Sequence, residues 1–364
     1  MTTPCRVLMI VNGAEDSPMG IRARSFVDRM DKAWQPWIVY RHPRRGRALL
    51  EFLRELVRVR PQVAYVLDMA APGVLAAGLE SYWGSTRVVV DTGDAIVDLG
   101  RTMGRGWGAM QLTRGIEAFA LSRADTLVVR GSQHAELLGR HSPVVIPDGV
   151  DLTQFSPGTA DELRQSLGLG DACVLGVLGS VIFNPARGTC YGWDLVEAIA
   201  LLQEFPVKGL LVGGGDGLSH LKARARELGV ENRICFAGQV SYEKLPGYLR
   251  AMDICLSTQS NDVVGQVRTT GKLPLYLGVG RFVIASRVGE AARVLPERML
   301  LDYDGSFDSN YPKRVAARVA GLLGEPESLQ CAEDVREIAA RHFDYDVLAQ
   351  RVDSVLRQTL EQGG

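Results

Sequence analysis

No apolar run in the 364-residue sequence is long enough for a membrane-spanning helix, so none is expected. The charges nearly cancel, 41 Lys and Arg against 42 Asp and Glu. A net charge of −1 leaves no overall field to draw nucleic acid, which is not expected as a partner. The six cysteines make no CxxC pair, and the five histidines show no HxxH or HExxH spacing. That removes the usual zinc frameworks, and no metal or cofactor is read from the sequence. Cys5, Cys173, Cys190, Cys235 and Cys255 lie in or near apolar runs, which reads as buried free thiols in a reducing cytoplasm. No basic region precedes the first apolar run, and that run reads as a strand. A signal peptide is therefore not expected, and the reading is a cytoplasmic protein. GxGxxG is missing after the first strand, which argues against dinucleotide binding there. Repeats and low-complexity segments are missing as well.

What is present suits two α/β domains. The densest pattern lies at 209–290. Leu210, Leu211 and Val212 form an apolar run that ends in glycines, as a buried parallel strand feeding a tight loop does. Leu218, Leu221, Ala225 and Leu228 follow at helical spacing, with Gly229 just past the end. Further strands are expected at 233–237, 253–257 and 282–285. Ser241 is placed as the cap of a helix burying Leu245, Tyr248, Leu249 and Met252. A long polar loop and a short helix separate the last two strands. The order β-α-β-α-β-loop-α-β is that of a doubly wound parallel sheet.

In the first half, strands are expected at 6–11, 37–40, 63–67, 87–90, 125–129 and 144–146. The loop after the first runs into a helix start near Gly20, where backbone amides and the helix dipole make an anion site, or else an ordinary turn. Residues 41–60 hold seven arginines against Glu51 and Glu55, on a helix whose apolar face is read as Leu49, Leu50, Leu53, Leu56 and Val57. Two readings stay open for it. One is a solvated basic face; the other is peripheral contact with an anionic membrane surface on its inner side, or with a phosphorylated acceptor. Asp91 and Asp94 fall at the carboxyl end of a parallel strand, where ligands bind, or they cap the next element. The segment 99–108, LGRTMGRGWG, is read as a loop, and Ser132 as the cap of a helix carrying His134. IPDGVDLTQFSP at 146–157 has the glycine turn and extended proline of a linker. Leu348, Val352, Val355, Leu356 and Leu360 share one face of a terminal helix.

Four phrases recur in a familiar order: LVGGGDG at 211–217, ELGVENRICFAG at 227–238, YLRAMDICLS at 248–257 and KLPLYLGVGRFVIAS at 272–286. With the linker phrase, they resemble the family-4 (group 1) retaining glycosyltransferases of the GT-B fold. The resemblance implies two Rossmann-like doubly wound domains facing across a cleft. Residues 1–155 would be the acceptor side and 156–344 the donor-binding side, with 345–364 returning to the first. It implies transfer of a sugar from a nucleotide-sugar donor to a glycan, lipid-linked or small-molecule acceptor, with retention of configuration and no metal. Two rivals remain: a non-catalytic binding or scaffold protein of the same fold, and a nucleotide-sugar 2-epimerase. The second needs acid–base groups in which the chain is poor.

The resemblance also implies site residues. Gly20 approaches the donor phosphates. Gly93 stands where relatives place a histidine and Asp94 matches the aspartate after it, so Asp94 and Asp91 are the catalytic candidates. Gly215, Gly238, Gln239 and Val240 fall within or beside the matching donor-side words. The sequence departs from the family where an arginine and a lysine serve the diphosphate: Ser180 and Tyr191 stand there. Val267 and Leu275 stand in place of its two glutamates. The loop offers Arg187, Asp262, Gln266, Arg268, Thr269, Thr270 and Lys272 instead. Arg268 and Lys272 are expected to converge, with backbone amides, on one diphosphate.

Overall fold

The computed structural model describes residues 4–185, 187–269 and 271–362, without the side chains of Arg45 and Trp83. The chain forms two compact units. The first consists of the residues up to Gly149, a short insert at 266–269, and the chain from Phe343 onward. The second consists of Val150–Gly265 and the residues between that insert and His342.

The first unit holds six strands: β1 (Cys5–Val11), β2 (Trp34–Tyr40), β3 (Val63–Leu67), β4 (Arg87–Thr92), β5 (Thr126–Val129) and β6 (Val144–Val145). They run parallel in the order β2-β1-β3-β4-β5-β6. Both faces are covered, so the strands are apolar at nearly every position. The period of two sorts their side chains between two cores. Val7, Met9 and Val11 join Val63, Tyr65 and Leu67 on one side, with Ala23 and Phe26 of the helix Pro18–Val27. The helix Tyr345–Glu361 lays Leu348, Val352, Val355 and Leu356 on that same core. Leu8, Ile10, Ala64 and Val66 face the other way, against Phe52 and Leu56.

The second unit repeats the plan with β7 (Cys173–Leu178), β10 (Val207–Val212), β11 (Ile234–Gly238), β12 (Ile254–Ser257), β13 (Phe282–Ser286) and β14 (Leu300–Leu301). Between the first two lies a small antiparallel hairpin, β8 (Phe183–Asn184) and β9 (Thr189–Cys190). The large sheet is parallel in the order β11-β10-β7-β12-β13-β14. In each sheet the chain starts near the middle and winds outward both ways. The direction reverses between β1 and β3 in the first and between β7 and β12 in the second. Carboxyl ends at such reversals are where this architecture leaves room for a ligand.

Several local expectations need correction. The helix Arg45–Val59 buries Ala48, Phe52, Leu56 and Val59, while Leu50 and Val57 are 67% and 68% exposed. Its inward stripe is rotated from the sequence reading because the alanine and phenylalanine define it. The segment 99–108 is mostly helical, Ile96–Thr102 and Trp107–Arg123 leaving only 103–106 as loop. Ser241 makes no side-chain cap bond, and Ser132 is the first helical residue, with Gly131 at the cap position. After Ser241 the chain makes a 3-10 turn, Tyr242–Lys244, and the α-helix begins at Leu245, where Pro246 fits the first turn. Residues 150–155 belong with the second unit, not the first. Arg336 donates to Leu152 O at 2.5 Å, Phe155 O at 2.8 Å and Gly278 O at 2.6 Å, which ties that segment down.

All six cysteines are free thiols. Burial pushes Cys173 up to about 12 and Cys190 to about 11, so neither supplies a thiolate near neutral pH. Among the described residues, no helix is long and apolar enough to cross a membrane.

Candidate functional site

The carboxyl edge of the first sheet gathers charge. Arg22 projects from the helix Pro18–Val27 and is wholly buried. Its Nε lies 2.9 Å from Asp91 Oδ2, and its two terminal nitrogens donate to Pro147 O at 2.5 Å and Ile146 O at 2.7 Å. Arg130, just past β5, reaches Asp91 Oδ1 at 3.3 Å and Asp148 at 3.8 Å. Tyr65 donates its hydroxyl to Asp91 at 3.1 Å. Burial works against the charge on Arg22, but Asp91 and Asp148 outweigh it and hold the group protonated above its ordinary value. Asp91 is thus a fully buried anion with two cationic partners. It touches no open surface and stands at the centre of a buried ion network.

Asp94 is different: it stays partly exposed, and Arg268 Nε lies 3.2 Å from its Oδ1. Gly93, at the place of the family's histidine, is covered by Arg130; a Cβ there would lie 2.6 Å from Arg130 Nη1. A histidine is excluded at 93 because the guanidinium of the network occupies its space. Nearby, His134 lies buried at the start of the helix Ser132–Leu137. Burial lowers its pKa to about 4, so its imidazole is neutral at pH 7. Gly20 is crowded by its own loop, since a Cβ would strike Glu15 O and Ala14 O, and its amide donates to Ser17 Oγ at 3.1 Å. The turn by itself already requires glycine at this position.

In the second unit, the loops after β7 and β10 run side by side. Val181 N donates to Gly214 O and Gly217 N to Val181 O, at 3.0 and 2.9 Å. Gly213 and Gly215 have φ of 137° and 152°, and a Cβ on either would meet a carbonyl of the neighbouring loop. Gly238 closes the set by accepting from Gly213 N at 2.8 Å; Gln239 beyond it is exposed and Val240 half-buried. These glycines build a shallow floor of backbone at the carboxyl edge.

On the other side of β7, Lys272 Nζ sits 3.6 Å from the ring centroid of Tyr191. A cation therefore covers the residue that replaces the family's lysine. Arg187 lies 3.4 Å from Asp262, whose other oxygen accepts from Gly265 N at 2.9 Å and so caps the helix Val263–Val267, which carries Gln266. Thr269 Oγ1 is buried without a hydrogen-bond partner among the described residues, and Thr270 lies outside them. The two cations expected to share one diphosphate each have a partner of their own. Arg268 pairs with Asp94 within the first unit, and Lys272 packs on Tyr191 in the second. Val267 and Leu275, in place of the glutamates, are buried.

Sequence reasoning passed over Asp194, which opens the helix Trp193–Leu201. Burial raises its pKa to about 7, opposed by a hydrogen bond with Thr258 at the end of β12. Its signal was an acid in the first turn of a helix that is apolar apart from it and Glu197. Arg22 was equally legible, one turn from Phe26 on a buried face. The linkage for Asp194 has a definite sign. The folded state holds this proton more tightly than the unfolded chain, so stability is full below the ordinary value of 3.8 and falls as pH rises to about 7. Asp194→Asn keeps a partner for Thr258 without the charge. It is expected to raise the melting temperature at about pH 8 and to change it little at about pH 4. An equal shift at both would count against the buried acid.

Residues 172–325 match the family model described as glycosyl transferases group 1. The chain is 30% identical over 259 residues to a D-inositol 3-phosphate glycosyltransferase of Catenulispora acidiphila, covering 65% of this chain and 57% of that protein. It is 27% identical over 289 residues to a GDP-mannose-dependent phosphatidylinositol monomannoside mannosyltransferase of Mycolicibacterium smegmatis, covering 76% and 70%. The chain spans about half the length of the D-inositol 3-phosphate glycosyltransferases it matches, 57% and 42% for two of them. Anabaena HepE, solved with UDP-glucose, superposes over 97% of this chain and 99% of its own, with a TM-score of 0.74 at 16% identity. Sucrose-phosphate synthase from Thermosynechococcus elongatus gives the same score and identity over 98% and 100%. These neighbours are GT-B proteins, and the fold of two Rossmann-like α/β domains is theirs. The residues matched by the family model run from β7 to β14 and include the glycine floor, Tyr191, Asp194 and Lys272.

Proposed function

We propose that the protein transfers a sugar from a nucleotide-sugar donor to a hydroxyl-bearing acceptor, with retention of configuration. The observation that carries this is the position of Lys272 on Tyr191, at the chain reversal of a group 1 glycosyltransferase domain. In the reaction the bond from the sugar's anomeric carbon to the diphosphate breaks, the acceptor oxygen takes its place, and the acceptor proton leaves. Charge grows on the diphosphate oxygens, where the Lys272 ammonium and backbone amides offset it. Asp94, held by Arg268, is the carboxylate available to orient the acceptor. The donors to test first are UDP-glucose, bound by the solved HepE, and GDP-mannose, named for the mycobacterial relative.

A second reading has its own support. With Val267 and Leu275 buried, the positions of the family's glutamates offer no carboxylate to a ribose, which suits a protein that binds and does not turn over. Thermal shift with UDP and GDP, followed by assay of free diphosphate from each donor, separates the two. Saturation at about a hundred times Kd should stabilise by about 2.7 kcal/mol. A shift with release supports the transferase and a shift without release the binder; no shift with either nucleotide removes both.

A further inference from the structure

Tyr191 stands where the resemblance calls for a lysine, and the second unit builds a rigid setting around its ring. Leu178 N, at the end of β7, donates to Tyr276 Oη at 2.6 Å, and Tyr276 is wholly buried. A phenol that accepts still has its own hydrogen to give. Tyr276 gives it to the Tyr191 hydroxyl, which in turn donates to Leu256 O of β12 at 3.4 Å. This chain of hydrogen bonds joins the ends of two paired strands and holds the ring by its hydroxyl. The ring also lies against Gly179, where a Cβ would come within 2.8 Å of it. Burial, with the charge of Asp194, raises the Tyr191 pKa above its ordinary value, so the ring is a neutral phenol near pH 7.

Lys272 rests on this ring, its Nζ 3.6 Å from the centroid, as a cation held by a π face does. A lysine ammonium sits on a flexible four-carbon stem, and gathering it onto a ligand costs rotamer freedom. A ring that already holds the ammonium removes part of that cost before the ligand arrives. The kind of partner matters as well. A carboxylate offsets the charge it pairs with, as Asp262 does for Arg187 and Asp94 for Arg268. A neutral ring holds a cation without offsetting its charge.

We infer, resting on the nucleotide-sugar reading above, that Tyr191 is a positioning residue: its ring, locked by Tyr276, seats the Lys272 ammonium ready for a donor's diphosphate. The place of the missing lysine is thus taken by an aromatic seat for a cation brought from a different element.

The test uses the full chain labelled with 13C-lysine, in which six lysines must be resolved. The Lys272 Hε signals, assigned from Lys272→Ala, are expected upfield of the other five, moved there by the ring current of Tyr191. They should stay upfield in Tyr191→Phe and return to the ordinary position in Tyr191→Leu. By calorimetry, Tyr191→Leu should weaken UDP or GDP, whichever the parent binds, about five- to tenfold, with the matching nucleoside unaffected. Tyr191→Phe should stay within about threefold of the parent. In a Lys272→Ala background, Tyr191→Leu should add no further loss, because a residue that acts through Lys272 then has nothing to act through. The shift in the parent and the Phe variant decide the point even where Tyr191→Leu fails to fold. No upfield shift in the parent, a Phe variant as weak as the Leu one, or equal losses from Tyr191→Leu with and without Lys272 overturns the positioning role. If the parent binds neither diphosphate, the donor reading fails and the positioning role with it; if it binds one and any of those three results appears, the positioning role alone fails.

Discussion

Asp91→Ala is expected to destabilise the first unit by about 3–5 kcal/mol, because it leaves buried guanidinium charge without its partner. Arg22 is wholly inside and Arg130 nearly so, and Asp148, at 3.7 and 3.8 Å from them, cannot alone satisfy both. Tyr65 also loses its acceptor. A loss of that size is a large share of the roughly 5–15 kcal/mol that holds a typical domain folded. Urea denaturation followed by hydrogen exchange of the β1, β3 and β4 amides reads it directly. Arg22→Met with Asp91→Leu should recover much of the loss, since an apolar replacement of a whole buried pair is often close to neutral. If Asp91→Ala instead left stability intact and abolished turnover, Asp91 would return to the catalytic list and the structural network would be the wrong account.

Lys272→Ala is expected to weaken nucleotide diphosphate binding by about 1.5–3 kcal/mol, the value of one hydrogen bond to a charged group. That corresponds to roughly 10- to 150-fold in Kd. Arg268→Ala should change it far less, because Arg268 is engaged with Asp94. The two cations were equivalent in the sequence, four residues apart in one loop; their partners separate them. Nucleoside without phosphate should bind both variants as it binds the parent. Titration calorimetry with UDP, GDP and uridine gives all three comparisons. Equal losses from the two substitutions would show that both cations reach the diphosphate; no loss from either would remove the replacement idea.

The strands and their order were legible because sheets buried on both faces must be apolar at almost every position. β1 and β3 show it: from Val7 to Val11 and from Val63 to Leu67 the Tyr65 hydroxyl is the one polar side-chain group. The hairpin β8–β9 was not legible, since two two-residue strands leave no periodic signal. On the helix Arg45–Val59, Leu50 and Val57 drew the apolar face toward positions that turned out exposed, and the packing of Ala48 and Phe52 decided it. In the site, residue types were legible and pairings were not. An aspartate at a strand end can be a catalyst, a cap or the anion of a buried network. Asp91 and Asp94, three residues apart, separated only when Arg22, from one element, and Arg130, from another, were seen to enclose the first.

By itself the sequence determined two α/β units, the glycine loops of the second, and the loss of the family's lysine at 191 and glutamates at 267 and 275. These follow from local pattern, which short-range sterics and strand burial write into consecutive residues. The tertiary structure alone decided that Asp91 is enclosed by two guanidiniums, that Arg130 fills the space beside Gly93, and that Lys272 covers Tyr191. Asp91 meets Arg22 69 positions back and Arg130 39 positions on, Gly93 meets Arg130 37 positions on, and Lys272 meets Tyr191 81 positions back. Electrostatics and packing act through space, and no spacing along the chain encodes which cation will meet which anion.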